Sequence, residues 1–184
     1  MKKKYAIIST ILITLALLAF SACGQTSSEG AGESAFGEFS AQTLDGTPVD
    51  QSIFAEKSLT MVNVWGTYCS PCIKEMPDLG EISREYADKD FRIIGIPVDV
   101  AGSNGEPIDY AVETANEIIA DTSADYMHLI PSAELFNNRI SEIAAIPETI
   151  FVDSQGNQVG ESYIGSRSKE AWIEIIDQLM QEIE

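Results

Sequence analysis

A short, nearly all-apolar run, Leu59-Thr-Met-Val-Asn-Val-Trp65, leads within four residues to the pair Cys69-Ser-Pro-Cys72. A β-branched run of that length, with no polar alternation, predicts a strand buried on both faces. Beyond the pair, Ile73, Met76, Leu79, Ile82 and Tyr86 recur at spacings of three and four. They predict a helix from Ser70 to about Ala87, kinked at Pro77. Phe91-Arg-Ile-Ile-Gly-Ile-Pro-Val98 then reads as a second buried strand. Strand, helix and strand with no tight turn between them predict a parallel pair joined by a right-handed crossover, hence an α/β fold.

The remaining elements follow the same periodicities. Phe39 to Leu44, Asp45-Gly46 and Thr47 to Val49 predict a hairpin, because Asp-Gly supplies the turn conformation. After a polar loop at 101–105, Ile108, Ala111, Ala115, Ile118 and Ile119 mark one face of a helix. A strand at 126–130 and a short helix at 133–138 come next. Glu148 to Asp153 and Gln158 to Ile164, split by Ser154-Gln-Gly156-Asn157, predict an antiparallel hairpin. Ser168 opens the last helix, whose inward residues are Ala171, Trp172, Ile175, Ile176 and Leu179.

The N-terminus bears on location. Lys2, Lys3 and Lys4 precede a largely apolar run from Tyr5 to Phe20, as in an export signal. That run is shorter than the roughly 20 residues of a permanent membrane span. The signal ends in Phe20-Ser21-Ala22-Cys23, which is similar to the lipobox of bacterial lipoproteins apart from Phe20, where leucine is usual. The similarity implies lipidation at Cys23, the alternative being plain secretion. Lipidation would consume a thiol that is otherwise a hazard in an oxidising compartment. The resulting division is 1–22 signal peptide, 23–38 lipidated flexible tether and 39–184 folded domain. The tether is expected because Gly24 to Gly37 holds almost nothing apolar to offset the entropy of ordering. The net charge of −18, deepened to −21 by loss of the three signal lysines, excludes a nucleic-acid role. It also leaves membrane attachment to the acyl group rather than to a basic patch.

The cysteine pair carries the chemistry. At a helix N-terminus Cys69 faces unsatisfied amides and the positive end of the helix dipole, which favour a thiolate. Cys72, one turn later, can attack a mixed disulfide formed at Cys69. A structural disulfide across two residues closes too small a loop to stabilise the fold by chain entropy. Zinc would need two further ligands, and the chain offers one histidine, His128, expected at a strand edge or surface. Haem attachment fails because Ile73 follows Cys72. No metal or other cofactor is expected.

Val62-Asn-Val-Trp-Gly-Thr-Tyr-Cys-Ser-Pro-Cys-Ile-Lys-Glu-Met-Pro77 resembles the active-site block of the TlpA/ResA-like thiol-disulfide oxidoreductases of the thioredoxin superfamily. A second block, Ala145-Ile-Pro-Glu-Thr-Ile-Phe-Val-Asp-Ser-Gln-Gly156, resembles that family's cis-proline loop, strand and hairpin. The resemblance covers about 39–184. It implies a thioredoxin-like fold: a central mixed β-sheet flanked by helices, with the N-terminal β-hairpin as an extension. It also implies a redox-active disulfide between Cys69 and Cys72, a cis Ile146-Pro147 bond, and substrate contacts at Trp65, Ile146 and Pro147. Glu75 would be an active-site proton carrier, whereas a glutamate in a first helical turn is on its own more often a surface residue. Asn63 stands where thioredoxin has a buried aspartate. Glu148 replaces a common threonine and is expected to add a negative charge to the substrate-facing loop.

The chain is expected to be a monomer, held by its lipid on the outer face of a bacterial membrane. The resemblance implies that it draws electrons from a membrane thiol donor and reduces disulfide-containing or oxidised exported proteins. An oxidase that donates its disulfide is the alternative, disfavoured because 99–128 holds only one helix where such oxidases insert a helical domain. A peroxiredoxin would need proline in place of Val62 and threonine in place of Gly66. A non-catalytic binding lipoprotein, including one that delivers copper, is a further reading; copper sites on related scaffolds use a wider cysteine spacing.

Overall fold

The computed structural model describes residues 34–183. The signal segment 1–22, Cys23 and the tether up to residue 33 lie outside the described residues. The elements are β1 (Ser40–Thr43), β2 (Pro48–Asp50), β3 (Leu59–Trp65), α1 (Ser70–Glu85), β4 (Phe91–Pro97), α2 (Asp109–Thr122), β5 (Met127–Ile130), α3 (Ala133–Asn138), β6 (Glu148–Asp153), β7 (Gln158–Ile164) and α4 (Lys169–Ile183). Short 3-10 turns occupy Gln51–Glu56 and Ile140–Glu142.

The seven strands form one mixed sheet in the order β2-β1-β5-β4-β3-β6-β7. β3, β4 and β5 run parallel, and β3 pairs antiparallel with β6 on its other side. The two expected hairpins, β1-β2 and β6-β7, are both antiparallel and form the two edges. β3 is buried along all seven residues because helices and turns cover both sheet faces.

Alternation along β3 divides the core. Leu59, Met61 and Trp65 point to one face with Met76, Leu79 and Ile82 of α1, Ala111 and Ala115 of α2, and Trp172 and Ile176 of α4. Val62 and Val64 point to the other, against Ile53, Phe54 and Leu135. Each aliphatic side chain so buried contributes about 1.5–3 kcal/mol by transfer from water. Phe36 joins this second layer, fully buried with its ring centroid 5.8 Å from that of Phe54, and the Ala35 amide donates to the Gly156 carbonyl at 2.8 Å. Phe36 thus packs into the core three residues before the start expected at Phe39, a contact that composition does not register.

α1 continues through Pro77, which lies on its exposed side. α3 begins after Ser132, whose hydroxyl accepts from the Leu135 amide at 3.2 Å. Among the described residues no helix is long and apolar enough to cross a membrane.

Candidate active site

Cys69 is the N-cap of α1, with extended backbone angles before the helix begins. Its Sγ accepts from the Cys72 amide at 3.3 Å, and Pro71 costs nothing in the first turn, where amides lack intrahelical partners. Cys69 and Cys72 are joined in a disulfide with Cα atoms 5.3 Å apart. Cys72 is fully buried, whereas Cys69 retains 6% exposure. Of the pair, only Cys69 presents any surface to solvent.

The loop before Cys69 is tied down at Thr67. Its amide donates to the Asp99 carboxylate at 3.0 Å, and its hydroxyl donates to the same carboxylate. Facing the pair is the segment ending in the cis Ile146-Pro147 bond. The Ile146 carbonyl oxygen lies 3.8 Å from the Cys69 Sγ. A Cβ on Gly66 would stand 3.0 Å from Ile146 Cδ1, so a residue without a side chain allows this approach.

Glu75 is buried behind the pair, 2% exposed. Its Oε1 accepts from Asn63 Nδ2 at 3.2 Å; its Oε2 accepts from the Arg167 amide at 3.1 Å and the Trp172 indole at 3.3 Å. Burial raises its pKa above the ordinary carboxylate range, and the three donors only partly oppose that. The Arg167 guanidinium sits over the Tyr163 and Trp172 rings, 4.9 and 5.1 Å from their centroids, which fixes the backbone amide that Glu75 uses. A cleft of about 290 Å³ lined by Lys74, Asp78, Ser166, Arg167 and Ser168 reaches Glu75. A larger groove of about 710 Å³, between the β1-β2 turn and α2, touches neither cysteine.

Three expectations are corrected. Trp65, expected to contact substrate, has no exposed surface; its indole donates to His128 Nδ1 at 3.3 Å inside the core. The aromatic beside Cys69 that does face outward is Tyr68, 71% exposed. His128, expected at a strand edge or surface, is buried and neutral: its Nε2 donates to the Ala124 carbonyl at 3.0 Å, and burial pushes its pKa down to about 4. Glu148 adds no charge to a substrate-facing loop, because it is 5% exposed and its carboxylate is paired with Arg139. An ion pair nine residues apart leaves no periodic trace in a sequence, so nothing flagged it. Tyr68 could have been found from its adjacency to Cys69; the donors at Arg167 and Trp172 could not, since they come from the far end of the chain. No cluster suited to a metal ion occurs among the described residues.

A mixed sheet with a Cys-x-x-Cys disulfide at the N-terminus of the helix after β3, faced by a cis-proline segment, defines the thioredoxin-like class. The chain belongs to the Redoxin family, which matches residues 31–174. Among curated proteins it is similar to the thiol-disulfide oxidoreductase ResA of Bacillus thuringiensis subsp. konkukian, 38% identical over 56 residues, covering 30% of this chain and 32% of that protein. The chain thus matches about a third of that relative's length. ResA of Bacillus thuringiensis strain Al Hakam is 26% identical over 135 residues, covering 69% of this chain and 66% of that protein. The likeness to the TlpA/ResA-like group is borne out. In fold, the chain is similar to the crystal structure of a thiol:disulfide interchange protein of the thioredoxin family from Chlorobium tepidum TLS. That match has a TM-score of 0.65 at 24% identity and covers 81% of this chain and 97% of the other.

Proposed function

We propose that the chain is a thiol-disulfide oxidoreductase that works outside the cytoplasm as a reductase. Electrons from a membrane thiol donor reduce the Cys69–Cys72 disulfide and pass to disulfide-containing or oxidised exported proteins. The observation that carries the exchange chemistry is the unequal exposure of the two cysteines at a helix N-terminus. The Cys69 thiolate attacks a substrate disulfide, forms a mixed disulfide and expels one substrate thiolate. Cys72 then attacks Cys69 Sγ, expels the second, and leaves the chain oxidised, two electrons poorer. Glu75, buried with a raised pKa and a cleft to solvent, takes and returns the proton of the buried thiol. Ile146 and Pro147 present backbone to an extended substrate segment, and Tyr68 rather than Trp65 offers the aromatic contact. Anchoring through a lipid at Cys23, monomeric state and export by residues 1–22 complete the reading, supported by the sequence pattern.

The reverse direction, disulfide donation, uses the same atoms. The single helix α2 between β4 and β5 supports reduction, there being no inserted helical domain. Equilibration against glutathione buffers with thiol trapping decides between them: a reductase should lie near about −270 mV or below, a donor near about −120 mV. In cells, Cys72→Ser should accumulate mixed disulfides and Cys69→Ser none. Absence of adducts in the Cys72 variant would remove Cys69 as the attacking thiol.

A further inference from the structure

The hydrogen bonds of Glu75 are unequal in a way that its proposed role as proton carrier must accommodate. Oε2 is held by the Arg167 amide and the Trp172 indole, both of which can only donate. A proton placed on Oε2 would displace one of them inside the core. Oε1 has a different neighbour, the Asn63 side chain, whose amide carries a donor on one arm and an acceptor on the other. Asn63 has no exposed surface, lies on β3, and also donates from Nδ2 to the Thr149 hydroxyl of β6 at 3.1 Å. Its own Oδ1 is buried without any partner. An orphaned buried group costs about 1–3 kcal/mol, and turning the amide over would set Nδ2 in the same partnerless place, so the choice of orientation falls at Oε1, where a protonated carboxyl would meet the Nδ2 donor with another donor.

The geometry points to Asn63 as a positioning residue that turns its amide over when Glu75 takes up a proton. With Glu75 ionised, Nδ2 donates to Oε1 and to Thr149 Oγ1. With Glu75 protonated on Oε1, the reversed amide presents Oδ1, which accepts from the Glu75 hydroxyl and from the Thr149 hydroxyl. Thr149 serves both states because a hydroxyl donates or accepts by rotating its proton. The two fixed donors on Oε2 keep their bonds throughout. The carboxyl group thereby changes charge without moving, and no bond beyond O–H is made or broken. The other charged or titratable groups around it are Arg167 from the β7-α4 connection, Lys74 and Asp78 in the cleft, and the Tyr126 phenol ahead of β5, which the Glu75 charge helps to raise. None of these is hydrogen-bonded to Oε1, so the adjustment falls to Asn63. This inference rests on the proposed proton role of Glu75.

The test is an NMR titration of the full chain in its oxidised form, following the Glu75 carboxyl carbon and the Asn63 side-chain amide together. The expected result is a shared midpoint, with the Asn63 amide protons losing their contact with the Thr149 methyl on the acid side. In Asn63→Leu the Glu75 midpoint should rise, because the charge-assisted bond to the carboxylate is the stronger of the two lost. An Asn63 amide that keeps its Thr149 contact while Glu75 titrates overturns the inference, and so does a Glu75 carboxyl that shows no titration. Insulin reduction by the same protein, with dithiothreitol supplied as the electron source, keeps the two readings apart. Exchange with a static amide defeats only the flip, whereas loss of exchange in the wild-type chain defeats the oxidoreductase reading.

Discussion

Removal of one member of the Arg139–Glu148 pair should unsettle both stability and the segment opposite the cysteines. The side chains are 14% and 7% exposed, so neither charge can turn to water when its partner is lost. Stripping one partner from a buried pair costs about 3–5 kcal/mol. At about 2–4 °C per kcal/mol for a domain of this size, Arg139→Met should lower Tm by about 6–20 °C. Arg139→Met combined with Glu148→Leu should recover most of that loss, because no uncompensated charge remains. The pair spans the segment whose other end carries Ile146, with its carbonyl 3.8 Å from Cys69 Sγ. The single variant should therefore also slow exchange with a protein disulfide more than with a small one. Urea denaturation of the two singles and the double gives the coupling directly. Single variants that each lose less than about 1 kcal/mol, the value of an exposed pair, would refute the reasoning.

Other expectations rest on the buried groups. Glu75 has a raised pKa in the folded state, so it contributes stability below the unfolded value of 4.5 that is lost as pH rises through the folded value. Glu75→Gln should gain on the wild type in urea stability as pH rises above 4.5; a constant gap would show that the carboxyl is not desolvated. For His128 the sign is opposite: a pKa lowered to about 4 means stability complete above pH 6.5 and lost as pH falls toward 4. The loss should reach about 3 kcal/mol near pH 4, and the imidazole resonance of the single histidine should not titrate near neutrality. Gly95→Ala should destabilise by about 1–3 kcal/mol in a thermal melt, since its Cβ would lie 2.1 Å from His128 Nδ1.

Much of this molecule could be read in the amino-acid order because its elements have strong local signatures. The β3 run, the three-and-four spacing of α1 and the Asp45-Gly46 turn each bury or turn the chain in one way only. Ser132 likewise announces α3, because a side-chain cap acts within three residues. What escaped depends on contacts far apart in sequence. Phe36 looks like an isolated apolar residue in a polar segment until Phe54 and Gly156 are placed beside it. Glu148 reads as a free charge until Arg139 is seen against it. Trp65 ends an apolar strand beside the cysteines, and only the His128 imidazole shows that its polar N–H is satisfied indoors. In the candidate site, the cysteines and Glu75 could be named from spacing and resemblance. The donors that set the state of Glu75 arrive from β3, α4 and the turn before it.

The burial of Cys72 also bears on chemical damage. Of the two cysteines in the site, Cys69 alone has surface that a peroxide or an alkylating agent could approach. A sulfenic acid formed there would have a thiol one helical turn away, ready to condense with it and expel water before further oxidation to the irreversible sulfinic and sulfonic acids. The product of that rescue is the same Cys69–Cys72 bond that turnover as the proposed reductase would leave behind. In that proposed cycle an oxidative insult would simply become one more equivalent awaiting reduction.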